Sequence, residues 1–98
     1  MKLHLTLFVA GETPRSEAAV RNVERLRGLQ GDVHISLEVV DVLRDPERAE
    51  TARVMATPTL IREVPTPPRR VTGDLDDLRR VMAVLGLHPL PAQHTKED

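Results

Sequence analysis

Leu3, Leu5, Leu7 and Val9 alternate with His4, Thr6 and Phe8, the period-two signature of a strand with one buried face. Gly11 and Pro14 close that run. Thr13 is placed to cap a helix whose first position is Pro14, where the missing N–H removes no hydrogen bond. Behind it Ala19, Val20, Val23, Leu26 and Gln30 recur at helical spacing, Arg15, Arg21, Glu24 and Arg25 take the wetter side, and Gly31 is the expected stop. Val33, Ile35, Leu37 and Val39 then alternate with His34, Ser36 and Glu38, predicting a second strand that runs to about Val42.

Asp45 predicts a short helix beginning at Pro46, with Glu47 in the first turn where the helix dipole favours an anion. Its end is expected near Met55, because Pro58 disfavours α geometry at Thr57. Thr59 to Val64 reads as a third strand, Pro65-Thr66-Pro67-Pro68 as a stiff interruption, and Arg69 to Thr72 as a short fourth strand at an edge. Asp74 is expected to cap a last helix whose apolar stripe is Leu75, Leu78, Val81, Met82 and Leu85. Residues 1–87 thus form one domain, and 88–98, with Pro89, Pro91 and a polar end, are expected to be a disordered tail. Strands joined through a helix of this length pair in parallel by a right-handed crossover, whereas the proline-linked pair is expected to be antiparallel. The order β-α-β-α-β-β-α is that of an α/β, thioredoxin-like fold.

Composition narrows the function. The 98 residues carry 14 basic and 15 acidic side chains, a net charge of −1, with no bias toward nucleic acid or an anionic membrane. One Phe and no Trp or Tyr leave no stacking platform for single strands, so no nucleic-acid partner is expected. No stretch approaches the ~18 apolar residues of a membrane span, and the opening MKLHLTLFVAG reads as a buried strand rather than a signal peptide. A cytoplasmic protein is expected. With no cysteine there is no disulfide, thiolate or CxxC chemistry.

In a thioredoxin-like domain the reactive groups sit between the first strand and first helix, here Gly11-Glu12-Thr13-Pro14-Arg15-Ser16. That segment holds no thiol, and Ser16 has no histidine nearby in sequence to act as its base. His4, His34, His88 and His94 fall at no metal-binding spacing. Asp74, Asp76 and Asp77 read as anions at a helix start, and Gly73-Asp74 lacks the glycine density of a phosphate cradle. The expectation is a binding protein, not an enzyme, with no catalytic residue, metal or cofactor.

Four strings carry a family resemblance: Leu7-Phe8-Val9-Ala10-Gly11-Glu12-Thr13-Pro14, Val39-Val40-Asp41-Val42-Leu43, Ala56-Thr57-Pro58-Thr59-Leu60 and Arg69-Arg70-Val71-Thr72-Gly73-Asp74-Leu75. In this order and spacing the chain resembles the KaiB family of circadian-clock proteins, from about Leu3 to Leu85. The same domain occurs in the sensory part of SasA-type histidine kinases. The resemblance implies a regulator that docks, in a thioredoxin-like state, on the ATPase ring of a KaiC-type protein. It also implies a second, homo-oligomeric ground state (dimer or tetramer) in which the C-terminal half is rearranged.

Carried onto this chain, the resemblance points to Glu47, Glu50, Arg53, Arg69, Arg70 and Asp74 as partner-binding residues. Pro58, Pro67, Pro68, Val84 and Gly86 are the fold-switch candidates. Glu38 and Ser36 stand where the family carries a lysine and an alanine, and that charge reversal puts a KaiA contact in doubt. Val84 falls on a mid-helix glycine of cyanobacterial members, which favours the thioredoxin-like state in a KaiA-free system. The alternative implied reading is a free-standing SasA sensor-type domain that binds another signalling protein. The absence of a linker or kinase segment before Asp98 favours the regulator.

Overall fold

The computed structural model describes residues 2–31 and 33–87; the expected tail, with His88 and His94, lies outside the described residues. Seven elements appear in the expected order: β1 (Lys2–Val9), α1 (Pro14–Leu29), β2 (His34–Asp41), α2 (Pro46–Thr51), β3 (Thr59–Val64), β4 (Arg69–Thr72) and α3 (Leu78–Leu85). The sheet order is β2-β1-β3-β4, with β2 parallel to β1 and both β3 and β4 antiparallel to their neighbours. This is the thioredoxin-like arrangement that the hydrophobic pattern predicts.

β1 is the centre of the sheet, and from Leu5 onward it is buried on both faces. Leu3, Leu5, Leu7 and Val9 pack with Ala19, Val23 and Leu26 of α1 and Val81, Met82 and Leu85 of α3. The alternation alone places Thr6 and Phe8 outward. Both are instead buried; Phe8 is so because α2 and its flanking segments cover the second face, where Phe8, Val40 and Ile61 pack with Val42, Ala49, Ala52 and Val54. Phe8, the sole aromatic of the chain, is 1% exposed and anchors this smaller layer.

Several boundaries differ from expectation, each for a local reason. α1 stops at Leu29 with Gln30 as its cap residue, one residue before Gly31, and Gly31 does not take the left-handed conformation that a glycine stop would use. α2 ends at Thr51 rather than near Met55, closed by a turn through Arg53. Asp74 does not cap α3. That role falls to Asp77, whose carboxylate accepts from the Arg80 N–H at 3.2 Å, while Leu75 packs into the core from the preceding loop. The apolar stripe is kept although the helix starts a turn later: Leu75, Leu78, Val81, Met82 and Leu85 are all buried. Val39, expected inside, is 45% exposed, because it lies in an open depression of about 490 Å³ between β2 and α1, lined also by Val9, Ser16 and Val20.

α3 ends on Gly86 in the left-handed region, φ 79°, with Gly86 N–H donating to Ala83 O and Leu87 N–H to Met82 O. Only glycine takes this conformation without penalty, and the buried Leu87 completes a Schellman closure. Arg62, on β3 and 8% exposed, reaches across to this helix end: Nη1 donates to Leu85 O and Nη2 to Pro67 O, each at 2.8 Å. One side chain thereby joins β3, the proline-rich loop and the C-terminus of α3, where a cation meets the negative end of the helix dipole.

Phe8→Ala is expected to destabilise the domain by about 3–5 kcal/mol, since Phe8 is the one aromatic in a layer it shares with Val40 and Ile61 and its loss leaves a cavity there. A urea titration followed by far-ultraviolet circular dichroism checks this, with a lowered midpoint and an unchanged slope as the expected result.

Candidate functional site

The segment between β1 and α1 is occupied by helix-start chemistry. Thr13 Oγ1 accepts from the Ser16 N–H at 3.1 Å and donates to Ser16 Oγ at 3.0 Å, and the Ser16 hydroxyl donates to Ala10 O at 3.3 Å. The buried Ser16 is thus part of the cap. Among the described residues no cluster of three or more His, Cys, Asp or Glu side chains is arranged to hold a metal.

Asp41 organises the ends of the two parallel strands. Its Oδ1 accepts from the backbone N–H of Gly11 and of Leu43, each at 2.9 Å, and Arg44 lies 3.8 Å from Oδ2. The Gly11 hydrogen bond first, then the Leu43 one, hold its carboxyl below the ordinary aspartate value. The β1–α1 loop and the turn leading to α2 are pinned to one carboxylate.

α2 comes directly after that turn. Pro46 takes the first helical position, and Asp45 accepts from the Arg48 N–H at 3.4 Å. Arg48 makes a two-pronged pair with Glu38 of β2, at 2.7 and 2.9 Å, which keeps the Glu38 carboxyl below its usual range. Glu38 is therefore engaged within the domain, tying α2 to β2.

The end of α2 is unusual. Arg53 N–H donates to Glu50 O and Val54 N–H to Ala49 O, the second bond spanning six residues as in the closure of α3. Here, however, the left-handed position is filled by Arg53, φ 56°, the one such non-glycine among the described residues. Such a conformation costs an L-residue about 1–2 kcal/mol. Arg70 of β4 meets it from the sheet: Nη2 donates to Ala52 O at 2.6 Å and Nη1 to Arg53 O at 3.1 Å.

Beyond this turn Val54 packs inward beside Phe8, and Met55 projects outward, 94% exposed. Met55 shares a shallow depression of about 630 Å³ with Pro46, Ala49, Val54 and three residues expected from sequence, Glu47, Glu50 and Arg53. The other expected contacts are not gathered there. Arg70 stands behind the turn, and Arg69 lies exposed in register with Arg62. Asp74 pairs with Arg15 at 3.7 Å and lines a separate small cleft with Ala18, Asn22 and Pro58. Sequence reasoning marks Met55 only as a helix end; the signal for its larger part is an apolar residue stranded between the last helical turn and the Ala56-Thr57-Pro58 bend.

Of the fold-switch candidates, Pro58 is buried where the chain enters β3, and Pro67 and Pro68 are exposed in the loop before β4. Val84 is half-buried on α3, and Gly86 is its closure. The peptide bonds preceding Pro58, Pro65 and Pro67 are cis. No helix among the described residues is long and apolar enough to cross a membrane.

Comparison with known proteins adds to this geometry. A family model described as a KaiB domain matches residues 6–87. A circadian clock oscillator protein KaiB from Nostoc sp. is 39% identical over 94 residues, covering 96% of this chain and 85% of that protein. Among solved structures, the N-terminal domain of Synechococcus elongatus SasA is similar at a TM-score of 0.71 and 28% identity. That likeness covers 100% of this chain and 90% of the domain. A chloroplastic thioredoxin z aligns at a TM-score of 0.69 and 18% identity, over 87% of this chain and 76% of its own, which marks the shared fold alone.

The Asp41 carboxylate generates a pH dependence. Because its folded pKa lies below the ordinary value, its contribution is present above about pH 3.9 and is lost as the pH falls through the folded value. Asp41→Asn is therefore expected to lower stability at pH 7, with the gap to wild type shrinking as the pH is taken below 4. Urea midpoints of both proteins across pH 3–7 check it.

Proposed function

The chain belongs to the KaiB family of circadian-clock proteins, and on that footing we propose that it is a non-catalytic, cytoplasmic timing regulator that docks on a KaiC-type ATPase through the end of α2. The observation that carries this reading is Met55. A large apolar side chain is held almost wholly in water on a hydrogen-bonded turn, flanked by Glu50 and Arg53. Isolated surface apolar residues are common, but a rigidly presented methionine inside a charged rim has the anatomy of an interface anchor. The matching surface on the partner is an apolar socket with charged groups around it. Glu47 belongs to the same rim; Arg69 and Asp74 are assigned a peripheral part.

We further assign the thioredoxin-like state as the docking-competent one. Val84 and Gly86 support it: neither interrupts α3, and Gly86 closes it in the conformation glycine tolerates best. Any rearrangement of the C-terminal half, with Pro58, Pro67 and Pro68 as its pivots, has to break the Arg62 contacts to Leu85 and Pro67. The Glu38–Arg48 pair supports a KaiA-free system, since the carboxylate that replaces the family lysine is already used inside the domain.

The likeness to the SasA N-terminal domain favours a second reading, a sensor-type domain that binds another signalling protein. Size-exclusion chromatography with the KaiC-type ATPase of the same organism, in ATP, separates the two. A complex is expected to form at micromolar concentrations without an hours-long lag. Met55→Glu and Arg53→Ala are each expected to weaken it at least tenfold, with Met55→Glu changing the melting temperature little because the side chain touches water. Absence of a complex with the wild-type chain removes the ATPase reading and leaves the sensor-type one.

A further inference from the structure

The two short helices that flank the sheet end in the same closure but are not equally self-sufficient. At the end of α3 the left-handed residue is Gly86. At the end of α2 it is Arg53, a residue with a Cβ that clashes in this region of backbone space. An arginine in that conformation persists only where its surroundings over-determine it. Beside the turn's own two backbone bonds and the packing of Val54, the side chain that supports it is one guanidinium. Arg70 donates one N–H to Ala52 O, just before the strained residue, and another to that residue's own carbonyl, Arg53 O.

Arg70 can do this because it is held by the sheet. Its backbone is in register with Ile61 of β3, and its neighbour Val71 is buried in the core. The planar fork of arginine spans two acceptors at fixed separation, which a lysine ammonium on a flexible stem does not reproduce. The positive charge also stands at the negative end of α2. The turn that Arg70 fixes sets the direction of the next two side chains: Val54 goes down onto Phe8 and Ile61, and Met55 goes out.

We propose that Arg70 is a positioning residue for the docking face, holding Arg53 left-handed so that Met55 is presented beside Glu50, rather than a residue that touches the partner. This rests on the assignment of the α2 end as the docking surface. It reverses the part that the family resemblance gives Arg70, that of a rim charge.

The test is a double-mutant cycle with a partner-free readout beside it. Arg53→Gly removes the need for support, because glycine is left-handed without penalty. The partner-free readout is hydrogen exchange at the Val54 amide, whose bond to Ala49 O closes the turn. Arg70→Ala and Arg70→Lys are expected to speed that exchange at least tenfold relative to wild type. In the Arg53→Gly background, Arg70→Ala is expected to speed it less than threefold.

Binding to the KaiC-type ATPase should show the same pattern. Arg70→Ala weakens it at least fivefold on its own but changes little once Arg53 is glycine. Equal losses in both backgrounds make Arg70 a direct contact and overturn the proposal, as does Val54 exchange unchanged by Arg70→Ala. If the wild-type chain binds no such ATPase, the docking assignment and Arg70's part in it both fall, while the Val54 exchange still decides whether Arg70 holds the turn. Melting curves of each variant confirm that the compared proteins are folded.

Discussion

A central strand that is buried on both faces has to be covered twice, and in a domain of this size the two covers cannot be equal. β1 meets this condition along most of its length. On one side α1, sixteen residues long, and α3 supply a full layer. On the other, α2 has only six residues. At 1.5 Å per residue it spans roughly 9 Å, against roughly 26 Å for an eight-residue strand. The remainder of that face is closed by single residues from connecting segments, Val42, Ala52 and Val54.

This asymmetry places the proposed docking surface. A thin layer made from a short helix and its exit turn has little interior of its own, so its geometry is set by contacts from the sheet. Arg48 reaches Glu38 on β2, Arg70 comes from β4, and Val54 rests on Phe8. The same thinness leaves Met55 without a place inside. A longer helix would have carried the chain past Phe8 with Met55 on a regular face; the early stop at Thr51 turns it outward.

Arginine does much of the linking. Arg62 and Arg70 each leave a strand of the sheet to bind carbonyls at a helix end. Arg27, on α1, reaches the Ile35 carbonyl of β2 with Nε and Nη2. With one aromatic residue and no cysteine, the domain has few large side chains to bridge layers. A long side chain with a donor-rich head bridges them instead, keeping its stem along apolar surface.

The sequence by itself determined the number, type and order of the elements, the parallel and antiparallel halves of the sheet, and the apolar stripes of α1 and α3. Those features arise from period-two and helical spacing and from proline and glycine positions, which act within a few residues of each other. That the β1–α1 segment carries no thiol was legible too, since the whole sequence has no cysteine. What only the tertiary structure decided depends on residues distant in sequence. Phe8 is inside because α2, a helix far along the chain, covers it. Asp77 rather than Asp74 starts α3, and Leu75 is buried in the core from the loop ahead of it. Glu47, Glu50 and Arg53 share a surface that Asp74 does not, and Arg70 stands behind it, because a guanidinium from β4 meets carbonyls that the end of α2 leaves without partners in its own helix.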